Sequence, residues 1–172
     1  MRMVEVPVWI LGSSTFGAQL AAHLGLPYAF ASHFAPQQLM QAIRLYRDTF
    51  KPSKQLAKPY VMLGFNVFAA ETDEAAELLA SSWQQAFVNL RSGRPGRLPP
   101  PVENYRARIG PAENALLDSV LSCAAVGSRE AVRAGVKAFV ERTGADELMV
   151  TSQVFDHAAR LKSYEILAEL RG

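Results

Sequence analysis

The chain has 172 residues, of which 49% are hydrophobic and 20% charged, an ordinary globular composition that excludes disordered and fibrous classes. Eighteen basic residues against sixteen acidic ones leave a net charge of +2, so we expect no nucleic-acid partner. Cys123 is the single cysteine, which excludes an intramolecular disulfide, and no apolar run approaches the roughly 18 residues of a membrane span. We therefore expect one soluble, cytoplasmic domain over residues 1–172, with no membrane partner.

The first predicted elements are a strand, a turn, a helix and a second strand. Residues 8–11 are continuously apolar, as in a strand buried on both faces, and a helical pattern then runs to Gly25. Residues 28–32 form the next apolar run. A βαβ unit of this length places its two strands parallel and adjacent. Parallel strands bind ligands at their carboxyl ends, where this chain has the turn at residues 12–14.

Helical and strand patterns alternate through the rest of the chain. The predicted helices are residues 37–50, 73–91, 113–125, 129–143 and 155–170, and the later predicted strands are residues 60–70 and 147–151. Thr72 and Ser128 stand at the N-cap positions of two of these helices. The order is βα repeated four times, with extra helical residues before the last strand. It predicts an α/β fold with a parallel sheet and helices outside it.

Residues 91–111 interrupt the alternation with a run rich in proline, glycine and arginine. A loop of about 20 residues inside a compact domain is usually functional or mobile. The run therefore predicts either a lid or a merely solvated insertion, and the residues alone leave both open.

The turn that follows the first strand lacks what two phosphate-binding motifs require. Gly12 and Gly17 bracket four residues, as the glycines of a P-loop do, but the Lys and Ser or Thr that must follow the second glycine are absent. The dinucleotide fingerprint has a middle glycine where this chain has Ser14, and no acidic residue in residues 6–47 is available for a ribose. Both ATP hydrolysis and a nicotinamide dinucleotide are therefore disfavoured.

A site for a single phosphate group has fewer sequence requirements than either of these motifs. It needs N–H groups at a helix N-terminus, small residues that let the phosphate approach, and hydroxyl donors, and Gly12, Ser13, Ser14 and Thr15 supply all three. The alternative is that Ser14 only caps the helix and nothing binds. A serine nucleophile is less favoured still, because the turn is not G-x-S-x-G. The three histidines lie on separate elements without metal-ligand spacing, so no metal site is expected.

The sequence resembles the bacterial luciferase-like monooxygenases, which are flavin-dependent enzymes with a (β/α)₈ barrel. The resemblance to their phosphate-binding region is carried by VWILGSS and LAAHLGLPYAFASHFAP. The later part of that family looks similar to YVMLGFNVFAAET, LPPPVENY, AVGSREAV, TGADELMV and SQVFDHAARLKSYEILAE. Because a whole barrel needs about 250 residues or more, the resemblance implies that this chain is the C-terminal half of a barrel, without the first four βα units.

The resemblance also implies a site for FMN. The hydroxyls of Ser13 and Ser14 would hold its phosphate, and Ser32 and His33 would lie toward the flavin ring, although His33 is equally well an ordinary loop histidine. No catalytic residue is implied. The cofactor-binding residues implied are Gly12, Ser13, Ser14, Thr15, Gly17, Ser32 and His33.

By the same resemblance, the chain belongs to an enzyme in which reduced FMN, supplied by a separate reductase, and O₂ oxygenate a small organic substrate. The alternative is a non-catalytic half barrel that binds a flavin phosphate or serves as an interaction module. Half a barrel leaves its first and last strands unpaired, and unpaired strand edges invite pairing with another chain. We therefore expect self-association or pairing with an N-terminal half barrel.

Overall fold

The computed structural model describes residues 6–170. The strands are β1 (Ile10–Gly12), β2 (Tyr28–Phe30), β3 (Val61–Ala69), β4 (Ala124–Gly127) and β5 (Glu147–Thr151). The helices are α1 (Thr15–Leu24), α2 (Leu39–Thr49), α3 (Asp73–Arg91), α4 (Pro111–Leu121), α5 (Arg129–Thr143) and α6 (His157–Ala168). Two short 3₁₀ turns, Pro36–Gln38 and Tyr105–Arg108, precede α2 and α4.

The contacts divide the described chain into two compact units, residues 6–64 with 143–149 and residues 65–142 with 150–170. The expectation of a single domain over residues 1–172 stays a prediction. Strand β3 contributes its first four residues to the first unit and its last five to the second. Strand β5 also pairs with β3.

In the first unit, β1, β2 and the start of β3 form a parallel sheet. Gly12 is aligned with Phe30, which is aligned with Leu63. Helix α1 turns its small residues inward, and it ends at Gly25 in the left-handed conformation (φ +64°) as the sequence predicts. The expectation that β1 is buried on both faces is wrong, because Leu11 is 72% exposed.

The second unit is built on a large apolar core. The end of β3 pairs in parallel with β4. Helices α3 and α4 cover these strands and pack Trp83, Phe87, Leu117 and Val120 around Phe68 of β3. The bounds of α3 and β5 are those predicted from the sequence.

Strand β4 corrects the prediction of a helix over residues 113–125. Helix α4 stops at Leu121, and the next residues pair with β3, where Asn66 N–H donates to Cys123 O (3.1 Å) and Ala70 N–H donates to Gly127 O (3.2 Å). A short alanine-rich run has no strand signal of its own, so the neighbouring strand decides its conformation. The sheet therefore has five strands, one more than predicted.

Helix α5 has the predicted bounds, whereas the other remaining elements are shorter than expected. The second strand stops at Phe30 rather than at residue 32, because Ala31 O accepts hydrogen bonds from Phe34 N–H (3.1 Å) and Ala35 N–H (3.0 Å) and closes a turn. The final helix begins one residue after Asp156, whose side chain caps it, and not at residue 155.

Candidate functional site

The turn between β1 and α1 presents hydroxyls at a helix N-terminus. Ser14 occupies the N-cap position with extended backbone (φ −144°, ψ 169°), yet its side chain makes no capping hydrogen bond. The N-cap side chains of Thr72 and Asp156 do accept such bonds, from Ala75 N–H and Ala159 N–H. The first turn of α1 contains no acidic residue. Its positive dipole end is therefore not neutralised by a carboxylate of its own first turn.

Two glycines and a tyrosine hold the shape of this turn. A Cβ atom added to Gly12 would lie 3.5 Å from the Cα of Gly17, and one added to Gly17 would lie 3.4 Å from the ring of Tyr28. The Tyr28 hydroxyl donates to Ser14 O (3.0 Å), and burial raises the pKa of Tyr28, which keeps it a protonated donor. The backbone under the two serines is therefore closely packed and anchored.

A side chain from the connection between β2 and α2 also reaches the turn. The Thr15 N–H, one of the first N–H groups of α1, donates to Gln38 Oε1 (3.2 Å). Gln38 ends the 3₁₀ turn that precedes α2. Sequence reasoning missed this residue, because nothing local links Gln38 to a turn 23 residues earlier.

The loop after β2 lies beside the same turn, since Ala31 N–H donates to Gly12 O (2.9 Å). Ser32 in this loop is fully buried, and its hydroxyl donates to Gly64 O (2.6 Å). That contact fastens the loop to β3. His33 is half-buried, and a Cβ atom added to Gly64 would lie 1.9 Å from its Nδ1. Burial lowers the pKa of His33, which favours the neutral imidazole.

The second unit carries an open cavity of about 840 Å³ between α3 and residues 102–107. The proline- and arginine-rich segment forms one wall and is tied to its neighbours: Val102 N–H donates to Ser81 Oγ (2.8 Å), and Arg106 Nε donates to Asn114 Oδ1 (3.0 Å). Residues 102–106 are therefore held against α3 and α4, residues 91–97 are exposed, and both interpretations of the segment, a lid or a solvated insertion, stay predictions.

Neither a metal cluster nor a membrane-spanning helix is present in the described chain. Residues 6–170 contain no group of three or more His, Cys, Asp or Glu side chains arranged to hold a metal ion. Within residues 6–170, no helix has both the length and the apolar character that a bilayer span requires.

The fold defines the class of this protein. Parallel βα units with helices outside the sheet are typical of a barrel-type α/β protein. The sequence model of the family described as luciferase-like monooxygenase matches residues 1–147. The chain belongs to this family, which confirms the resemblance stated from the sequence.

The comparisons also confirm the predicted fold class, parallel βα units of about half a barrel. A luciferase-like monooxygenase of Escherichia coli strain K12 is 50% identical over 167 residues, covering 97% of this chain and 50% of that protein. The crystal structure of apo-MsnO8 is 32% identical with a TM-score of 0.80, covering 98% of this chain and 52% of that one. The chain therefore spans about half the length of the relatives it matches.

A third comparison involves a flavin. The oxygenating constituent of 3,6-diketocamphane monooxygenase from Pseudomonas putida, solved in complex with FMN, has a TM-score of 0.55 and 19% identity, covering 95% of this chain and 47% of that one. At this identity the similarity concerns the fold alone.

Proposed function

We propose that this chain is the FMN-phosphate-binding part of a flavin-dependent monooxygenase. The hydroxyls of Ser13 and Ser14 and the N–H groups of Phe16 and Gly17 donate to the phosphate, and Gly12 lets it approach the backbone. The Thr15 N–H, which donates to Gln38 Oε1, turns to the phosphate when that bond opens. The observation that carries the proposal is the N-terminus of α1, where Ser14 holds the N-cap position without a side-chain capping bond and no first-turn carboxylate competes for an anion.

The neighbouring loop fits the rest of the cofactor in this proposal. The Ser32 hydroxyl donates to Gly64 O and so holds the loop in place. His33, held neutral by burial, faces the flavin ring. When bound, reduced FMN supplies the electrons with which O₂ oxygenates an organic substrate, while the residues named here bind, orient and shield the cofactor.

Titration of FMN and of riboflavin tests the phosphate site, because riboflavin lacks the phosphate. A hydrogen bond to a charged group contributes about 1.5–3 kcal/mol. The double variant Ser13→Ala/Ser14→Ala should therefore bind FMN at least about tenfold more weakly and lose the preference for FMN over riboflavin. Ser92→Ala, at an exposed position after α3, is the matched control and should keep that preference. Equal FMN affinities for the wild type and the double variant would remove the proposed site.

A second candidate, a flavin-binding half barrel without turnover, is favoured by one observation. The chain covers only about half of its relatives, so a reaction site that draws on both halves of those proteins would be incomplete in it. The two candidates differ in how reduced FMN is reoxidised by air in the presence of the protein. A rate that differs from that of FMN in buffer, and that returns to it in the double serine variant, favours an enzymatic site, whereas an unchanged rate with intact binding favours the second candidate.

A further inference from the structure

The cavity between α3 and residues 102–107 has a wall that is held in place. Its volume of about 840 Å³ lies within the range of small-molecule pockets. The Val102 N–H donates to Ser81 Oγ (2.8 Å), and Gln85 Nε2 donates to Pro100 O (3.0 Å), so the segment that forms the wall is fastened to α3. None of the residues proposed to bind FMN lines this cavity.

The rim of the cavity carries negative charge. Glu74, Glu77 and Glu103 line it and are exposed, and within residues 6–170 none of these three carboxylates makes an ion pair. The dipole of α3 stabilises Glu74 in its first turn, but Glu77 and Glu103 lie outside that turn. The basic residue of the lining, Arg106, already pairs with a carboxylate of α4. The rim therefore favours a cation.

A buried amide lines the same cavity. Gln84 is only 2% exposed, and in the part of the chain that the structure describes no hydrogen bond joins its side chain to another group. Buried amides are nearly always hydrogen-bonded, and an amide can both donate and accept. The Gln84 amide therefore requires a partner that the cavity must supply.

Apolar side chains accompany these two polar regions. Leu78 and Val102 line the cavity and are half-buried. Gln84 follows Glu77 by seven residues, which corresponds to about 10 Å along the axis of α3. A ligand that contacts both residues is therefore elongated, with a cation at one end, a neutral polar group at the other and an apolar chain between them.

We propose that this cavity binds an organic ammonium compound with an apolar chain and a neutral polar end. The ammonium group pairs with Glu77 and Glu103. The chain packs on Leu78 and Val102, and the polar end forms a hydrogen bond with Gln84. The proposal concerns the second unit alone and does not rest on flavin binding, so the failure of either proposal leaves the other intact.

Titration with 6-amino-1-hexanol, followed by residue-resolved NMR shifts of the backbone amides, tests the site. We expect saturable shifts in α3 and residues 102–107 at millimolar concentrations. The anion 6-hydroxyhexanoate should bind at least about tenfold more weakly, because it has a carboxylate in place of the ammonium group.

Two double variants with the same change of net charge test the carboxylates. Glu77→Gln/Glu103→Gln should weaken the binding of 6-amino-1-hexanol at least about fivefold. Glu141→Gln/Glu165→Gln removes two exposed carboxylates outside the lining, on α5 and α6, and should leave that affinity unchanged.

Hexylamine separates the role of the amide from that of the carboxylates, because it lacks the hydroxyl group. Gln84→Met keeps the length of the side chain and removes the amide. It should weaken the binding of 6-amino-1-hexanol about threefold or more and leave the binding of hexylamine unchanged.

The amide spectrum of each variant shows whether it is folded. Four results would overturn the proposal: no saturable shifts in α3 and residues 102–107 of the wild type, equal binding of 6-amino-1-hexanol and 6-hydroxyhexanoate, an unchanged affinity in Glu77→Gln/Glu103→Gln, and an equal loss for both amines in Gln84→Met.

Discussion

At the scale of single residues, the amide of Gln38 lies at the N-terminus of α1, where the phosphate is proposed to bind. Its Oε1 accepts the Thr15 N–H at 3.2 Å. A charge at this position would therefore interact electrostatically with an anion bound at the N-terminus of α1. Gln38→Glu keeps the shape and adds a negative charge. Two unit charges 4 Å apart repel by about 1 kcal/mol in water and about 4 kcal/mol near a protein surface. We expect FMN to bind about fivefold or more weakly to this variant.

Two controls accompany that measurement. Gln38→Ala removes the amide without adding charge and should change FMN affinity less than the carboxylate does. Riboflavin has no phosphate, so its affinity should be the same for the wild type and Gln38→Glu. If the carboxylate leaves FMN affinity unchanged, the phosphate does not bind near Thr15.

The residues that the sequence reveals at this turn are those whose signal is local. Ser13 and Ser14 stand between an apolar strand and a helical pattern, and the strand–turn–helix order is legible within a few residues. Tyr28 and Gln38 reach the same turn from 14 and 23 residues away. Their roles depend on the register of β2 and on the path of its exit loop, which no local pattern encodes.

At the scale of elements, β3 and the loop after β2 meet at Gly64, where an added Cβ atom would collide with the His33 side chain. A Cβ atom on Gly64 would lie 1.9 Å from His33 Nδ1 and 2.7 Å from its Cε1, so Gly64→Ala forces the imidazole to move. Overpacking of this kind costs about 1–3 kcal/mol of unfolding free energy. We expect that loss in denaturant titrations of Gly64→Ala.

A double-mutant cycle assigns that loss to the contact. His33→Ala removes the ring, so the added cost of Gly64→Ala should fall in the His33→Ala background, with a coupling of about 1 kcal/mol or more. Gly96→Ala is the matched control, since no atom lies within 4 Å of its added Cβ, and it should stay within about 0.5 kcal/mol of the wild type. Additive losses would mean that the imidazole is not the obstacle.

Elements with strong internal signals could be predicted, and short ones could not. Helix α3 was predictable at both ends, because Thr72 caps it and Asp73 and Glu74 fill its first turn. Strand β4 has four residues, three of them small, and its conformation follows from the hydrogen bonds of β3. The hydrophobic periods of strands and helices, 2 and 3.6 residues, do not predict pairing between segments more than 50 residues apart.

At the scale of the whole molecule, β1 pairs within residues 6–170 with β2 alone, so its other edge is unpaired in that part of the chain. The sequence predicted such an edge from the resemblance to half a barrel. Which groups it exposes followed only from the hydrogen bonds of Ile10 and Gly12 toward β2. Successive residues of β1 direct their backbone groups to opposite edges of the strand. The neighbouring amides of Ile10 and Leu11 should therefore respond differently when another chain pairs with the open edge, which supplies an internal control.

Residue-resolved amide hydrogen exchange measures how the amides of β1 differ in protection. In the chain alone, the Ile10 amide, bonded to Pro27 O, should exchange more slowly than the Leu11 amide, which faces the unpaired edge. Addition of an N-terminal half barrel should slow the exchange of the Leu11 amide at least about tenfold, because a new ladder bond must open before exchange. The exchange rate of the Ile10 amide should change less. Protection of Leu11 that is already present in the chain alone, and that grows with its concentration, would instead assign the edge to a second copy.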